Sequence, residues 1–273
     1  MVATKLVFLL ALVACGSAYN SLHDTERIIG GEVAPAGLAP FAVSLRSGLL
    51  IRSHFCGGSL ISTTFVVTAA HCVDAVYSTG IIGGGSLSSS LQVQSGVQNL
   101  NNAGIKSTVK ANYTFGMWDS YNLVYDIALL ELTAALTETA TLRPIALNAN
   151  VIPGGQVLTA VGWGLTRYPS GSSVNELMSI KTNSLDYATC SDMRDVASGD
   201  FAGFFPLIYN DQEICTFKAV GEGMCKGDSG SALFNDDGLV GIVSWGLPCA
   251  KLAPDVFTRV STFVPWIQGI TGL

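Results

Sequence analysis

Past residue 28 the chain reads as short apolar runs separated by Gly, Ser, Asn and Pro. Runs at 41–45, 59–61, 65–69, 127–130, 157–161, 231–234 and 239–244 have the length and β-branched content of strands, with turn-forming residues between them. Helical periodicity stands out only at 264–270. The pattern predicts an all-β protein with a short C-terminal helix.

Residues 83–90, Gly-Gly-Gly-Ser-Leu-Ser-Ser-Ser, have the composition of a linker, but the alternation of Leu91, Val93 and Val97 resumes at once. A surface loop is therefore expected there. A soft boundary falls at 143–155, where a Pro- and Gly-containing stretch separates two strand-rich halves.

The longest apolar run, 6–13, lies close to the amino end, behind Lys5 and ahead of the small residues at 14–18. It is well short of the roughly 20 residues that a membrane helix needs. Charge, apolar run and small residues in that order read as a secretory signal over 1–18, cleaved after Ala18 or Gly16. A secreted, extracellular protein follows, with no membrane partner.

With 49% hydrophobic and 12% charged residues, the chain is neither a disordered tail nor a coiled coil. Its formal charge of −6 and singly scattered basic residues argue against nucleic acid as a partner. Loss of the signal removes Cys15 and leaves six cysteines, an even number that suits disulfides in an exported chain. Spacing alone does not choose among their pairings. A zinc site is a poor competitor, because no CxxC occurs and His23, His54 and His71 have no ligand-like spacing.

Four segments carry specific chemistry: Ile28-Ile29-Gly30-Gly31, Thr68-Ala69-Ala70-His71-Cys72, Asp126-Ile127-Ala128-Leu129-Leu130 and Gly227-Asp228-Ser229-Gly230. In this order the chain resembles the chymotrypsin and trypsin family of serine endopeptidases from residue 27 to its end. The resemblance extends to arthropod chymotrypsin-like and broad-specificity collagenolytic members. It implies two antiparallel six-stranded β-barrels with the active site in the cleft between them, and a peptidase domain over 28–273.

By the resemblance, His71, Asp126 and Ser229 form the catalytic triad. A serine hydroxyl needs a neighbouring base to attack a carbonyl at neutral pH, and histidine has the proton affinity for that exchange. A buried carboxylate at Asp126 orients the ring and stabilises its cation. The amides of Gly227 and Ser229 are the implied oxyanion-hole donors, and Gly227 leaves that space free of a side chain.

The resemblance also implies activation by cleavage between Arg27 and Ile28, which makes 19–27 an activation peptide. The new amino group of Ile28 is then expected to pair with Asp228. The implied disulfides are Cys56–Cys72, Cys190–Cys215 and Cys225–Cys249. The implied partners are protein or peptide substrates, an activating trypsin-like protease and protein inhibitors. A monomer is expected, and neither a cofactor nor a metal is implied.

Specificity is where the family pattern bends. The pocket base, acidic in trypsins, is Gly223 here, while Asp255 replaces a usual glycine on the neighbouring wall. Met224 suits Leu, Met or aromatic side chains. Gly246 keeps the entrance open, and Ser244, Trp245 and Gly246 are expected to offer backbone hydrogen bonds to an extended substrate. Lys226 beside the oxyanion hole reads either as a contact beyond the scissile bond or as a solvated lysine. Chymotrypsin-like or mixed specificity is expected.

The interval from Cys190 to Cys215 is longer than the family pattern. Its Phe201, Phe204, Phe205 and Tyr209 either extend the substrate site or pack on the second barrel. Residues 75–118 hold no Asp or Glu, so calcium is not expected there. His54 is expected at the leaving-group rim. Asn112-Tyr113-Thr114 is the single glycosylation sequon and is expected on a surface loop.

Two other readings stand beside a digestive endopeptidase. One is a catalytically silent homologue that binds or regulates, against which the intact His71, Asp126, Ser229 and Gly227 count. The other is an active cascade protease, against which the lack of an accessory domain before Arg27 counts.

Overall fold

The computed structural model describes residues 28–79, 85–167, 174–199, 205–246, 249 and 253–273. The signal and activation segments, Arg27, Phe201 and Phe204 lie outside the described residues.

The first half forms a curled antiparallel sheet in the order Ile105–Ser107, Gln92–Ser95, Ala42–Ser47, Ser53–Leu60, Phe65–Thr68, Ala128–Leu132, Val109–Thr114. Its two end strands are successive stretches of chain separated only by Thr108, so the sheet bends back toward itself. In the second half Met178–Ser184, Val157–Gly162, Ala232–Asn235, Gly238–Gly246, Asp255–Arg259 and Glu213–Phe217 follow one another, and the last pairs with the first. That is a closed six-stranded barrel, with Glu32–Val33 added along Met178–Ser184. Closure removes free edges.

Alternation explains which faces are buried. In Met178–Ser184 the residues Met178, Ile180, Thr182 and Ser184 point inward while Lys181 and Asn183 are exposed. One core joins Leu45, Leu60, Val66 and Leu130 of the first half to Phe234 and Ile242 of the second. A second core fills the closed barrel with Leu158, Met178, Ile180, Leu233 and Phe257, and it includes Ile28. Chain 143–155 crosses between the halves, with Ile145 N–H bonded to Leu60 O and Asn148 N–H to Leu239 O.

The predicted strands are present, although Ser53–Leu60 begins earlier than 59–61, carried through Gly57 and Gly58 by pairing with Ala42–Ser47. Residues 85–87 pair with Tyr77–Thr79, so the expected loop at 83–90 contains a short strand. The terminal helix, Val260–Thr271, is longer than its periodic part. It buries Val260, Phe263 and Ile267 and ends at Gly272, whose φ of 74° is easily reached without a β-carbon.

A helix over Tyr187–Ser198 departs from the expectation of helical structure only at the carboxyl end. Asp186 caps it by accepting the N–H of Thr189 at 2.9 Å. Its buried positions are Cys190, Arg194 and Ser198, so the inward stripe is largely polar and carries no apolar period. Arg194 Nε donates to Pro206 O at 2.9 Å. Among the described residues, no helix is long and apolar enough to cross a membrane.

Candidate active site

The short helix Ala70–Asp74 follows the strand Phe65–Thr68 and carries His71. The neighbouring strand Ala128–Leu132 sets Ala128 opposite Thr68, which brings Asp126 beside that helix. Asp126 Oδ2 accepts from His71 Nδ1 at 2.7 Å, and Oδ1 accepts the His71 backbone N–H at 2.9 Å. Ser244 Oγ donates to the same Oδ2 at 2.5 Å, while Thr258 Oγ1 donates to Asp126 O at 2.7 Å. Hydroxyls of the second barrel thus hold the acid of the first.

Asp126 is fully buried, whereas 28% of the His71 side chain is exposed. Burial alone lowers the proton affinity of His71. The hydrogen bond and charge of Asp126, with the charge of Asp74, outweigh burial and raise the imidazole above its ordinary value. Bonding to the carboxylate places a proton on Nδ1 and leaves Nε2 as the basic nitrogen.

Ser229 approaches from the turn before Ala232–Asn235, and its carbonyl accepts Gly57 N–H at 2.8 Å. Gly230 has φ 79°, and a β-carbon there would stand 2.5 Å from Gly57 O and 3.3 Å from Ala69 N. Only a glycine lets this turn lie so close to the strand Ser53–Leu60 and the start of the His71 helix. The Cys56–Cys72 disulfide joins that strand to that helix. Cys190–Cys215 and Cys225–Cys249 are the other two bridges.

Cys56, Cys72 and His71 place their potential ligand atoms within 4.8 Å of one another. Both sulfurs are committed to the disulfide, so the trio offers no thiolate.

Beside Ser229 opens a pocket of about 210 Å³ lined by Met224, Lys226, Ser244, Trp245, Gly246 and Asp255, among others. Asp255 Oδ2 accepts Met224 N–H at 2.9 Å and lies 2.6 Å from where a β-carbon on Gly223 would be. Gly223 itself is buried, and its N–H donates to Ile29 O at 2.9 Å. Burial pushes the Asp255 carboxyl up to about 7, with the charge of Asp228 adding to the effect and the Met224 N–H opposing it. Met224 is buried and also packs in the second core. Lys226 is exposed, and its carbonyl accepts Leu165 N–H at 2.8 Å.

Asp228 is wholly buried, with Oδ1 accepting Gly164 N–H at 2.8 Å and Oδ2 accepting Cys225 N–H at 2.9 Å. Desolvation exceeds what those two donors return and pushes this carboxyl to about 7. Ile28 is also fully buried. Gly227 has φ 96°, and its carbonyl accepts from His54 Nε2 at 2.9 Å.

His54 Nδ1 lies 2.8 Å from Ser44 Oγ. The ring is therefore a neutral Nε2–H tautomer, held down to about 4 by burial, with Arg46 adding and the Gly227 bond opposing. It props the Gly227 turn. Asn112 stands half-buried in the strand Val109–Thr114 opposite Leu130, and so not on the expected surface loop.

Three contributors were not foreseen in the sequence. Ser244 and Thr258 bind Asp126 with their side chains, and Glu213 accepts the indole N–H of Trp245 at 2.8 Å. Only the Ser-Trp-Gly string drew notice to Ser244, and for its backbone; nothing in the sequence around Thr258 or Glu213 signals a role.

Two antiparallel curled sheets carry the His71–Asp126 pair on the first and, from the second, the Ser229 turn against the strand Ser53–Leu60. The sequence model of the trypsin family matches residues 28–267, and the chain belongs to that family. It is 36% identical to chymotrypsin-2 of Vespa crabro, over 88% of this chain and 98% of that one. It is 35% identical to trypsin 5G1 of Aedes aegypti, over 93% and 89%, and 34% identical to serine protease 1 of Rattus norvegicus, over 96% of each. The protein is a serine endopeptidase with protein or peptide substrates.

Proposed function

We propose that the protein is a secreted digestive precursor, activated by cleavage between Arg27 and Ile28, that hydrolyses peptide bonds through an acyl-enzyme on Ser229. Residues 1–18 serve as the signal, 19–27 as the activation peptide and 28–273 as the peptidase. The observation that carries the reading is the Asp126–His71 pair with its raised imidazole, and Ser229 lines the pocket that the reading takes as the substrate site.

In the first half-reaction His71 Nε2 takes the proton of Ser229 Oγ as that oxygen attacks the substrate carbonyl. Asp126 holds the Nδ1–H and stabilises the imidazolium. The carbonyl oxygen becomes negative and is met by the N–H groups of Gly227 and Ser229, which stabilise the transition state more than the substrate. His71 returns the proton to the leaving amine as the C–N bond breaks. Water then repeats the sequence on the ester and frees Ser229.

Activation has a physical cause in Asp228. Its buried carboxylate has neutral donors on both oxygens. A new Ile28 ammonium would supply the missing opposite charge and order the neighbouring oxyanion turn. An activating trypsin-like protease is implied by Arg27, and protein inhibitors shaped like substrate are expected to compete for the cleft.

Specificity is proposed to be mixed. Met224 and the open side at Gly246 favour Phe, Tyr, Leu and Met at the residue before the scissile bond. Asp255 supplies a carboxylate for Arg or Lys. A digestive role rests on this breadth and on likeness to proteins named chymotrypsin and trypsin.

The test uses protein cleaved to begin at Ile28 and titrated with an acyl-forming serine reagent. One equivalent is expected to react, and none with Ser229→Ala; equal reaction of both would remove Ser229 from the role.

A further inference from the structure

Glu213 opens the strand Glu213–Phe217 and is buried, with 4% of its surface exposed. Its two carboxylate oxygens serve different parts of the chain. Oε2 accepts the backbone N–H of Tyr209 at 2.7 Å, and Oε1 accepts the indole Nε1–H of Trp245 at 2.8 Å. Tyr209 O in turn accepts the N–H groups of Gln212 and Glu213, at 3.0 and 2.8 Å. Backbone and side chain of Glu213 together close the turn at 209–213. This turn ends the long interval from Cys190, and the Cys190–Cys215 bridge ties its foot.

On the other side of the carboxylate, Trp245 is half-buried and forms part of the pocket wall beside Ser229. A tryptophan ring fixed only by packing keeps freedom about its side-chain torsions. A ring whose edge is bonded to a carboxylate that is itself bonded to a backbone turn does not.

We propose that Glu213 is a positioning residue for substrate binding: it fixes the Trp245 indole as a wall of the cleft and couples that wall to the turn at 209–213. It acts through Trp245 and touches neither substrate nor the reacting atoms. Its effect falls on the part of a peptide that lies against the indole, upstream of the bond being cut. The inference rests on the reading of this cleft as the substrate site.

The same geometry makes the wall sensitive to pH. Burial raises the Glu213 carboxyl to about 7; the Tyr209 and Trp245 donors oppose this, and the charges of Asp126 and Asp211 add to it. Among the described residues a cation also meets Glu213, since Arg259 Nη2 donates to its backbone O at 2.8 Å. Ionised Glu213 accepts two charge-assisted bonds. Once protonated, one oxygen becomes a donor facing another donor, and the indole is held less firmly.

The test uses wild type, Glu213→Gln and Glu213→Met, each cleaved to begin at Ile28 and titrated with an acyl-forming serine reagent. Two substrates share the residue before the scissile bond: an extended peptide amide and a single-residue ester. KM for the extended peptide is expected to rise about tenfold in Glu213→Met, where both buried donors lose their acceptor, and by less in Glu213→Gln, whose amide keeps one acceptor oxygen and turns an NH2 donor toward the other N–H. The kcat for that peptide, and both constants for the ester, should stay within about twofold. For wild type the ratio of extended-peptide KM to ester KM should rise as pH falls from 8 to 6, and for Glu213→Gln it should be flat. The ratio cancels titration of His71, which both substrates share.

Titratable variants with unchanged extended-peptide KM, or with equal loss on both substrates, would overturn the role of Glu213 alone. A wild-type protein that does not titrate would overturn the site reading beneath it. If neither variant folds, wild type and Trp245→Phe decide the matter. A fluorescence transition near pH 7 that Trp245→Phe abolishes supports the coupling, and a transition common to both proteins overturns it.

Discussion

Asp255 places Oδ2 2.6 Å from the point that a β-carbon on Gly223 would occupy, and the same oxygen accepts the N–H of Met224 at 2.9 Å. The acidic side chain thus enters the pocket from the strand Asp255–Arg259 and occupies space that any residue larger than glycine would claim at 223. One absence and one presence in the sequence are a single arrangement in space. Gly246 completes it, since a β-carbon there would stand 3.6 Å from Asp255 Oδ1.

Asp255→Gly should lower kcat/KM for substrates with Arg or Lys before the scissile bond about tenfold relative to Leu or Phe substrates, since one paired charge is lost. A library varied at that position alone reads the ratio. An unchanged ratio would show that Asp255 does not select substrate.

The same ratio should depend on pH. With the Asp255 carboxyl at about 7, the pocket is mostly neutral at pH 6 and mostly charged at pH 8. Preference for Arg and Lys over Leu should therefore increase as pH rises through 7 and should be flat in Asp255→Asn. Comparing two substrates removes the shared contribution of His71.

Ser229→Ala should lose turnover by at least about a thousandfold while keeping its fold, because one oxygen is removed from a half-buried turn residue. Circular dichroism and the melting temperature should match wild type. Comparable residual turnover in a pure preparation would exclude Ser229 as the nucleophile.

Stability of the uncleaved Ser229→Ala protein should fall as pH rises from about 6.5 to 8. Asp228, Asp255 and Glu213 are raised to about 7 in the fold, so their contributions are full below the unfolded carboxylate values and are lost as pH passes 7. Raised His71 acts in the same direction, while His54, lowered to about 4, acts oppositely only below its unfolded value of 6.5. Cleavage at Ile28 should make the slope shallower by giving Asp228 a cation. Melting temperatures of both forms across this window provide the check, and equal slopes would argue against the pairing.

Gly164→Ala should destabilise the protein by about 2–3 kcal/mol and impair activation, since overpacking and a displaced buried carboxylate act together. Its β-carbon would stand 2.5 Å from Asp228 Cγ, against the residue whose N–H the carboxylate accepts. Chemical denaturation measures the first effect, and serine-reagent titration after cleavage measures the second.

Most strands were legible because their burial is apolar and local: runs such as 65–69 and 157–161 announce a sheet wherever the rest of the chain lies. The segments holding His71, Asp126 and Ser229 were legible through the resemblance of their motifs to a family, and around Ser229 the turns at Gly227 and Gly230, with φ of 96° and 79°, also call for glycine. The helix Tyr187–Ser198 was not legible, because the side it buries is made of Cys190, Arg194 and Ser198. Arg194 bonds to Pro206 O of a later loop, Ser198 Oγ to Arg194 O within the helix, and Cys190 is held by its disulfide in a small cluster with Ile208 and Val256.

The sequence by itself therefore determined the sheet class, which depends on residue type and local period, while its motifs, through their resemblance to a family, singled out His71, Asp126 and Ser229 and the unusual pairing of Gly223 with Asp255. Tertiary structure alone decided that Ser244 and Thr258 hold Asp126 and that Glu213 holds Trp245. Those bonds join residues 32 to 132 positions apart. Serine, threonine and glutamate are ordinary on a surface, and only the folded path shows which of them is buried against a partner.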